Sequence, residues 1–390
     1  MKILHTSDWH IGKRLNKRER LDEQRDVLDE LISVCEKEVV DLVLVAGDIF
    51  DTFLPSAEAE ELFYEKVTEL AGKNRAVLLI SGNHDDNVRL GAATPLAERH
   101  GIYIYGSSGY IPKATEGRKI NVAEAGTNHI IFSKGEEKVF VNVLPYPNEA
   151  RLKEDKNPNE SFYDKISRWI SIGEEKNTSK LPSVFLSHLF VAGGISSEGE
   201  RDIDLGGARA IPLSLLPQSD YVALGHLHRR QLFSGNVCYS GSILQYAFDE
   251  AGMEKSFVIF DLDKSGVQNL KKVPIKSGRQ LVRLSADSIE KAVELLKNYP
   301  DCLIELTLYL SEPLIQSQMS VLKEANEGLL TVIPVISNSD IQITAERRSC
   351  LSAGQLFSEF YKSQYNEEPS DELKELFLSI IGESNETTSS

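Results

Sequence analysis

Lys2-Ile-Leu-His-Thr-Ser-Asp-Trp-His10 sets a short apolar run directly against an aspartate and a histidine. The run has the length of a buried strand, and the polar pair falls where that strand must end. The same arrangement returns along the chain. Leu42–Ala46 leads into Gly47-Asp48, Val77–Ile80 into Gly82-Asn83-His84-Asp85, Val184–Ser187 into His188, and Tyr221–Leu224 into Gly225-His226-Leu227-His228. Further strands are predicted at Val139–Leu144 and Phe257–Asp261, with amphipathic helices and loops between them up to about residue 265. Such alternation predicts an α/β sandwich. Open α/β sheets place active-site loops beyond the carboxyl ends of their strands, which is where Asp8, Asp48, Asn83, His188 and His226 fall.

One Asp-x-His or His-x-His pair is a weak signal, because a polar pair at a strand end usually makes a turn or a cap. Five such elements in this order, all at strand exits, are very hard to obtain by chance and point to a metal centre. Hydrolysis of a phosphodiester needs a hydroxide at neutral pH, neutralisation of the phosphate charge, and help for the departing alkoxide. Two divalent ions about 3.5–4 Å apart supply the first two. Mixed carboxylate, imidazole and amide ligands suit manganese, iron or zinc better than calcium. The glycines before Asp48, Asn83 and His226 permit the tight turns that gather such side chains.

The chain of 390 residues is long enough for two or three domains. Cys35, Cys238, Cys302 and Cys350 form no Cys-x-x-Cys pair, which speaks for a reducing compartment and against a disulfide framework or a zinc ribbon. Met1 runs straight into a strand with no apolar signal region, and no uncharged run reaches bilayer-spanning length, so a cytoplasmic location is expected. A net charge of −16 works against nucleic-acid binding by this chain alone. Bound divalent ions and a partner's basic surface would offset it. The dense basic stretch Lys13, Arg14, Lys17, Arg18, Arg20 and Arg25 reads either as phosphate-facing surface or as a solvated helix start. No internal repeat and no phosphate-binding loop of the Gly-x-x-x-x-Gly-Lys-[Ser/Thr] type is present, so any ATP dependence would come from another chain.

Near Ile275–Arg279 a short charged linker is followed by a β-α-β-α-β pattern from Gln280 to about Ile336. Its helix period is carried by Ile289, Ala292, Val293 and Leu296, and its strand alternation by Ile304, Leu306 and Leu308. The last segment predicts two short helices. Ser352 and Gln355 form a capping box ahead of Leu356, Phe357, Phe360, Tyr361 and Tyr365; Pro369-Ser370 opens a helix with Leu373, Leu376, Phe377, Ile380 and Ile381, ended by Gly382. Two helices this short are not expected to bury such faces on each other. The expected boundaries are 1–275 for the main domain, 276–345 for a small α+β domain, 346–382 for the helix pair and 383–390 for a polar, disordered tail.

The motif set resembles that of the calcineurin-like phosphoesterases. The fuller strings Ile3-Leu-His-Thr-Ser-Asp-Trp-His10-Ile-Gly12, Ala46-Gly-Asp-Ile-Phe-Asp51 and Ser81-Gly-Asn-His-Asp85 are similar to the bacterial DNA nucleases of that family, over nearly the whole chain. The resemblance implies a four-layer αββα sandwich with a small α+β capping domain and C-terminal helices. It implies two divalent ions, manganese first among candidates, held by Asp8, His10, Asp48 and His228 and by Asp48, Asn83, His188 and His226, with Asp48 bridging. His84 would stabilise the transition state or protonate the leaving 3′-oxygen. It further implies exonuclease action on duplex ends and endonuclease action on hairpins or single strands, in DNA repair, recombination or replication. The nuclease chain would be a homodimer joined to a coiled-coil ATPase. The apolar faces of the two last helices must pack on their own domain or on a partner, and their width makes them the expected contact with that ATPase. Archaeal and eukaryotic relatives carry a histidine where this chain has Asp51, so that histidine's role does not carry over. Asp85 reads as a helix N-cap or as a partner orienting His84, His5 as a hydrogen-bonded core residue, and His100 and His129 as surface residues. The rivals are a phosphoesterase of the same fold acting on nucleotides or phosphoproteins, and a scaffold whose metal site has decayed.

Overall fold

Strands β1 (Lys2–Thr6), β2 (Leu42–Val45), β3 (Ala76–Ile80) and β4 (Ile102–Tyr105) are parallel neighbours, and β2 and β3 are apolar and buried at every position. That is the signature of parallel strands covered on both faces. One cover is α1 (Leu21–Lys37) with α2 (Ala57–Ala71), whose Val27, Leu31, Leu62, Phe63 and Val67 pack with Leu4, Val43, Val77 and Leu79. Each of these fully buried side chains contributes about 1.5–3 kcal/mol. Ser56 starts α2 by accepting the main-chain N–H of Ala59 at 3.3 Å. Short helices α3 (Asn87–Gly91) and α4 (Thr94–Ala97) lead from β3 towards β4.

The structure is a computed structural model that describes residues 1–107, 109–147, 151, 160–200, 210–233, 235–336, 353–365 and 367–380. A second sheet holds β5 (Asn121–Ala125), β6 (His129–Lys134), β7 (Glu137–Leu144), β8 (Ser183–His188), β9 (Tyr221–Gly225), β10 (Gln231–Phe233) and β11 (Val237–Tyr239), in the order β10-β11-β9-β8-β7-β6-β5. Its outer face is covered by α5 (Phe162–Glu174) through Phe162, Ile166 and Ile170. Its inner face packs on the first sheet, where Ile3, Leu44, Leu78 and Tyr103 share a core with Phe132, Val141, Val184 and Tyr221. The chain then returns to the first sheet with antiparallel β12 (Ser256–Asp263) and β13 (Gly266–Pro274), giving the order β13-β12-β1-β2-β3-β4. Helix, sheet, sheet and helix form the four-layer αββα sandwich. Every predicted strand is present within a residue or two. Those not anticipated, β4 to β6, β10, β11 and β13, are short or rich in polar residues; β13 carries Lys271 and Lys272 on a sheet edge.

Two compact units divide the chain: Met1–Arg283 with Pro300–Glu305, and Leu284–Tyr299 with Leu306–Ser390. The linker read at Ile275–Arg279 is held down on α1, because Lys276 and Ser277 donate their main-chain N–H groups to Glu30 and Arg279 donates to Glu23. Beyond it β14 (Leu281–Ala286), α6 (Ile289–Leu296), β15 (Leu303–Leu310), α7 (Gln316–Ala325) and β16 (Leu329–Ile336) follow the predicted β-α-β-α-β order. Of the residues picked out by period alone, Ala292, Leu296, Ile304, Leu306 and Leu308 are fully buried, and Ile289 and Val293 are half-buried. The last two helices are Ala353–Tyr365 and Asp371–Ile380. Phe357 and Phe377 stack with ring centroids 4.2 Å apart, so the pair does bury part of its aromatic face on itself, while Leu356, Phe360 and Leu376 stay exposed. Ser370 caps the second helix through the N–H of Leu373 at 3.3 Å. The expected capping serine, Ser352, and the terminator Gly382 lie outside the described residues.

Candidate metal centre

The strand ends that carry the motifs meet at one edge of the sandwich. Asp8, His10, Asp48 and His226 adopt positive φ, at 52°, 45°, 50° and 107°. Such backbone costs of order 1–3 kcal/mol per residue and persists where surrounding contacts impose it. Those contacts are main-chain bonds zipping the first two loops together: Asp8 N–H to Gly47, His10 N–H to Asp48 and Ile11 N–H to Ile49, at 2.9–3.0 Å. Gly47 and Gly225 have a steric reason to be glycine. A Cβ on Gly47 would stand 2.5 Å from His188 Nδ1, and one on Gly225 would stand 1.9 Å from the Ala46 carbonyl.

All seven ligand candidates are brought together. His10 Nε2 lies 3.1 Å from His228 Nε2, and these two histidines form with Asp8 one group whose donor atoms lie within 4.8 Å of one another. Asp8, Asp48 and His188 form a second such group, and His10, Asp48 and His84 a third. Asp48 stands between the two halves, its Oδ2 3.7 Å from His10 Nε2 and 3.4 Å from His188 Nε2, while Oδ1 accepts the His84 main-chain N–H at 2.8 Å. Asn83 Oδ1 lies 2.8 Å from His188 Nε2 and 3.0 Å from His226 Nδ1.

Whether these residues fit a cation is answered at His188. Its Nδ1 faces the Ala46 carbonyl at 2.8 Å and must donate there, so a neutral ring carries its lone pair on Nε2. His188 Nε2 faces two oxygen acceptors, Asn83 Oδ1 and Asp48 Oδ2; in the bare protein a ring proton serves them, and a shared cation would take that proton's place. In the bare protein burial opposes a charged ring, yet the Asp48 carboxylate overrides it and pushes His188 up to about 9. Burial takes His10 and His226 down to about 3, keeping them in the neutral form that ligates metals. Burial also drives the Asp8 carboxyl up, and the nearby Asp48 charge adds to it. The pocket is short of positive charge.

Residues 1–230 match the calcineurin-like phosphoesterase family. The chain is also 35% identical to SbcD, the D chain of the SbcCD nuclease of Bacillus subtilis (strain 168), with 97% of each chain covered. The chain belongs to the calcineurin-like phosphoesterases, in the SbcD nuclease branch. It is accordingly a metal-dependent hydrolase of phosphodiester bonds. Similar solved structures are TT1561 of Thermus thermophilus (TM-score 0.39, 11% identity, 70% of this chain and 99% of that one) and a dimetal phosphatase from Danio rerio (TM-score 0.38, 13% identity, 71% and 99%), both too remote to carry weight.

This phosphoesterase surrounds its candidate ligands with partners that no motif announced. Glu250 Oε1 lies 2.9 Å from His228 Nδ1, and Lys255 gives its three ammonium protons to Glu250 Oε2 (2.5 Å), the His228 carbonyl (2.8 Å) and Ser242 Oγ (2.8 Å). A buried carboxylate of this kind orients a ligating imidazole and raises its basicity. Glu250→Gln is therefore expected to weaken manganese binding about 10–100-fold, read by calorimetric titration. Unchanged affinity would mean that the backbone alone orients His228. On the other side, Arg151 donates to the Gly82 and Asp85 carbonyls at 2.6 Å each, bracing the turn that carries Asn83 and His84, with its guanidinium 5.3 Å over the Tyr146 ring.

Several readings of single residues need correction. Asp85 is not the N-cap of α3. Its buried carboxylate accepts the main-chain N–H groups of Ile49 (3.2 Å), Phe50 (2.9 Å) and Gly82 (2.8 Å), tying the second loop to the third, and the cap of α3 is Asp86. His129 is buried, stacked on Phe140 with its Nδ1 3.3 Å from Asn128 Oδ1; His100 is exposed as expected. His5 is a core residue 3.1 Å from the Tyr221 hydroxyl, and burial takes it down to about 3. Four of the six cations of the basic stretch have acidic partners. Lys13 pairs with Asp51, Arg14 with Glu19, buried Arg20 with Glu23, and Arg25 with Glu65.

Proposed function

We propose that this chain is a manganese-dependent DNA nuclease subunit that works with an SbcC-type coiled-coil ATPase. It hydrolyses phosphodiester bonds at double-strand ends as an exonuclease and in hairpins or single strands as an endonuclease, in DNA repair, recombination and replication. The observation that carries the reading is the gathering of the ligand candidates round Asp48, with His188 Nε2 set against the Asn83 and Asp48 oxygens, in a chain similar over 97% of its length to a nuclease subunit. Asp8, His10, Asp48 and His228 hold one ion; Asp48, Asn83, His188 and His226 hold the other. Bound there, two divalent ions supply the nucleophile at neutral pH and neutralise the phosphate.

The chain's own residues do the rest. Asp48 fixes the spacing of the two sites. His84 has its Nδ1 2.7 Å from the Asp51 carbonyl, so that nitrogen is the donor and Nε2 is the atom that serves the leaving 3′-oxygen. Residues 1–275 form the nuclease domain, 276–345 cap it and shape the DNA path, and the helix pair within 346–382 offers Leu356, Phe360 and Leu376 to the ATPase. A homodimer of this chain within a heterotetramer, acting at the nucleoid in the cytoplasm, fits these assignments. The pairing of four of the six cations in the basic stretch supports a division of labour in which the partner supplies most phosphate-neutralising surface.

The test is cleavage of a hairpin DNA by the purified chain in manganese, with and without the ATPase. Metal-dependent cutting, stimulated by the ATPase with ATP, is expected. The acidic composition favours one second reading, a phosphoesterase acting on nucleotides or phosphoproteins. Turnover of those substrates with DNA left intact, in both conditions, would select it.

A further inference from the structure

His10 uses Nε2 to face His228 and Asp48, which leaves Nδ1 for an outer partner. That nitrogen is buried and has no hydrogen-bond partner among the described residues. Asp51 Oδ1 stands 3.6 Å away, just beyond hydrogen-bond distance, so that a small shift of the carboxylate completes the bond. The same oxygen lies 3.8 Å from His84 Nδ1, which is 2.7 Å from the main-chain carbonyl of Asp51 itself. The rings of His10 and His84 meet edge to face, with centroids 4.6 Å apart. Lys13 pins this carboxylate, donating to Asp51 Oδ1 at 3.0 Å and to the Gly199 carbonyl at 3.4 Å.

A neutral imidazole carries one proton and can present either nitrogen to an ion; the partner of the other nitrogen chooses. We propose that Asp51 is a positioning residue whose carboxylate holds the proton of His10 on Nδ1, presenting Nε2 to the first ion, while its main-chain carbonyl sets the ring of His84. One residue thereby ties an ion ligand to the group that serves the leaving oxygen. Lys13 keeps the carboxylate from swinging to solvent. The role differs from that of Glu250, which acts on His228 and not on His10. This inference rests on the assignment of His10 as a ligand, made above.

Asp51→Asn keeps the shape and removes the charge, Asp51→Ala removes both, and Lys13→Met frees the carboxylate. Each full-length variant is titrated with manganese(II) alone, with free ion read by electron paramagnetic resonance, and kcat and KM are measured on hairpin DNA. For Asp51→Ala one of the two ions is expected to bind about 10–100-fold more weakly and the other as in the parent chain, with the loss in kcat and not in KM. Asp51→Asn and Lys13→Met should fall between. If the parent chain binds two ions and the Asp51 variants bind both as tightly, the inference is overturned while the ligand assignment stands. Equal weakening of both ions in isosteric Asp51→Asn also overturns it, since that marks general loosening of the site. A parent chain that binds no manganese overturns the assignment of His10, and the inference with it.

Discussion

Asp48→Ala is expected to lose both ions and all metal-dependent hydrolysis together. Asp48 reaches towards both halves of the centre, with Oδ2 between His10 Nε2 and His188 Nε2. It is also a latch, because Oδ1 holds the main-chain N–H of His84 at 2.8 Å. Removing it takes a ligand from each ion and loosens the turn that carries Asn83. Burial opposes its charge, yet the surrounding histidines hold the Asp48 carboxyl well below the usual carboxylate range, so it is ionised throughout the working pH range. Metal content after gel filtration, with hydrolysis of bis(p-nitrophenyl) phosphate, reads the result. A variant that retains two ions would remove Asp48 from the bridging position.

His84→Ala should fail in a different way, keeping both ions while kcat on DNA falls about 10²–10⁴-fold. Its ring stands within reach of His10 and Asp48, but Nδ1 is engaged by the Asp51 carbonyl, and the contacts that gather Asn83, His188 and His226 run between those three residues. The loss should depend on the leaving group. A 3′-alkoxide is a strong base and needs its proton early, whereas p-nitrophenolate departs without one. The variant should therefore be far less impaired on a p-nitrophenyl diester than on DNA. Loss of ions from His84→Ala, seen in the same metal analysis, would make this residue a ligand and withdraw the acid role.

The legible part of the molecule was the part written in consecutive residues. Strands β1, β2, β3, β8 and β9 are almost wholly buried, so they read as apolar runs, and the ligand candidates stand within a few positions of the carboxyl end of each run. Ala292, Leu296, Ile304, Leu306 and Leu308 were legible for the same reason, burial imposing its period on the sequence. Edge strands such as β13, half exposed and lysine-bearing, carry no such period.

What the tertiary structure alone decided is which atom faces which. Glu250 reaches His228 across 22 residues of chain, Asp85 ties down Phe50 across 35, and Arg151 braces Gly82 across 69. None of these separations leaves a trace in local spacing, and a buried charge has the same letter as a solvated one. Arg20 and His129 looked like surface residues because residue type records polarity, while burial depends on whether a distant partner compensates the lost water: Glu23 and the Gln245 carbonyl for Arg20, Asn128 and Phe140 for His129. The candidate ligand set was thus determined by the sequence. Its outer partners, its latches and the place of Asp51 beside His10 were decided by packing two sheets so that their strand ends meet.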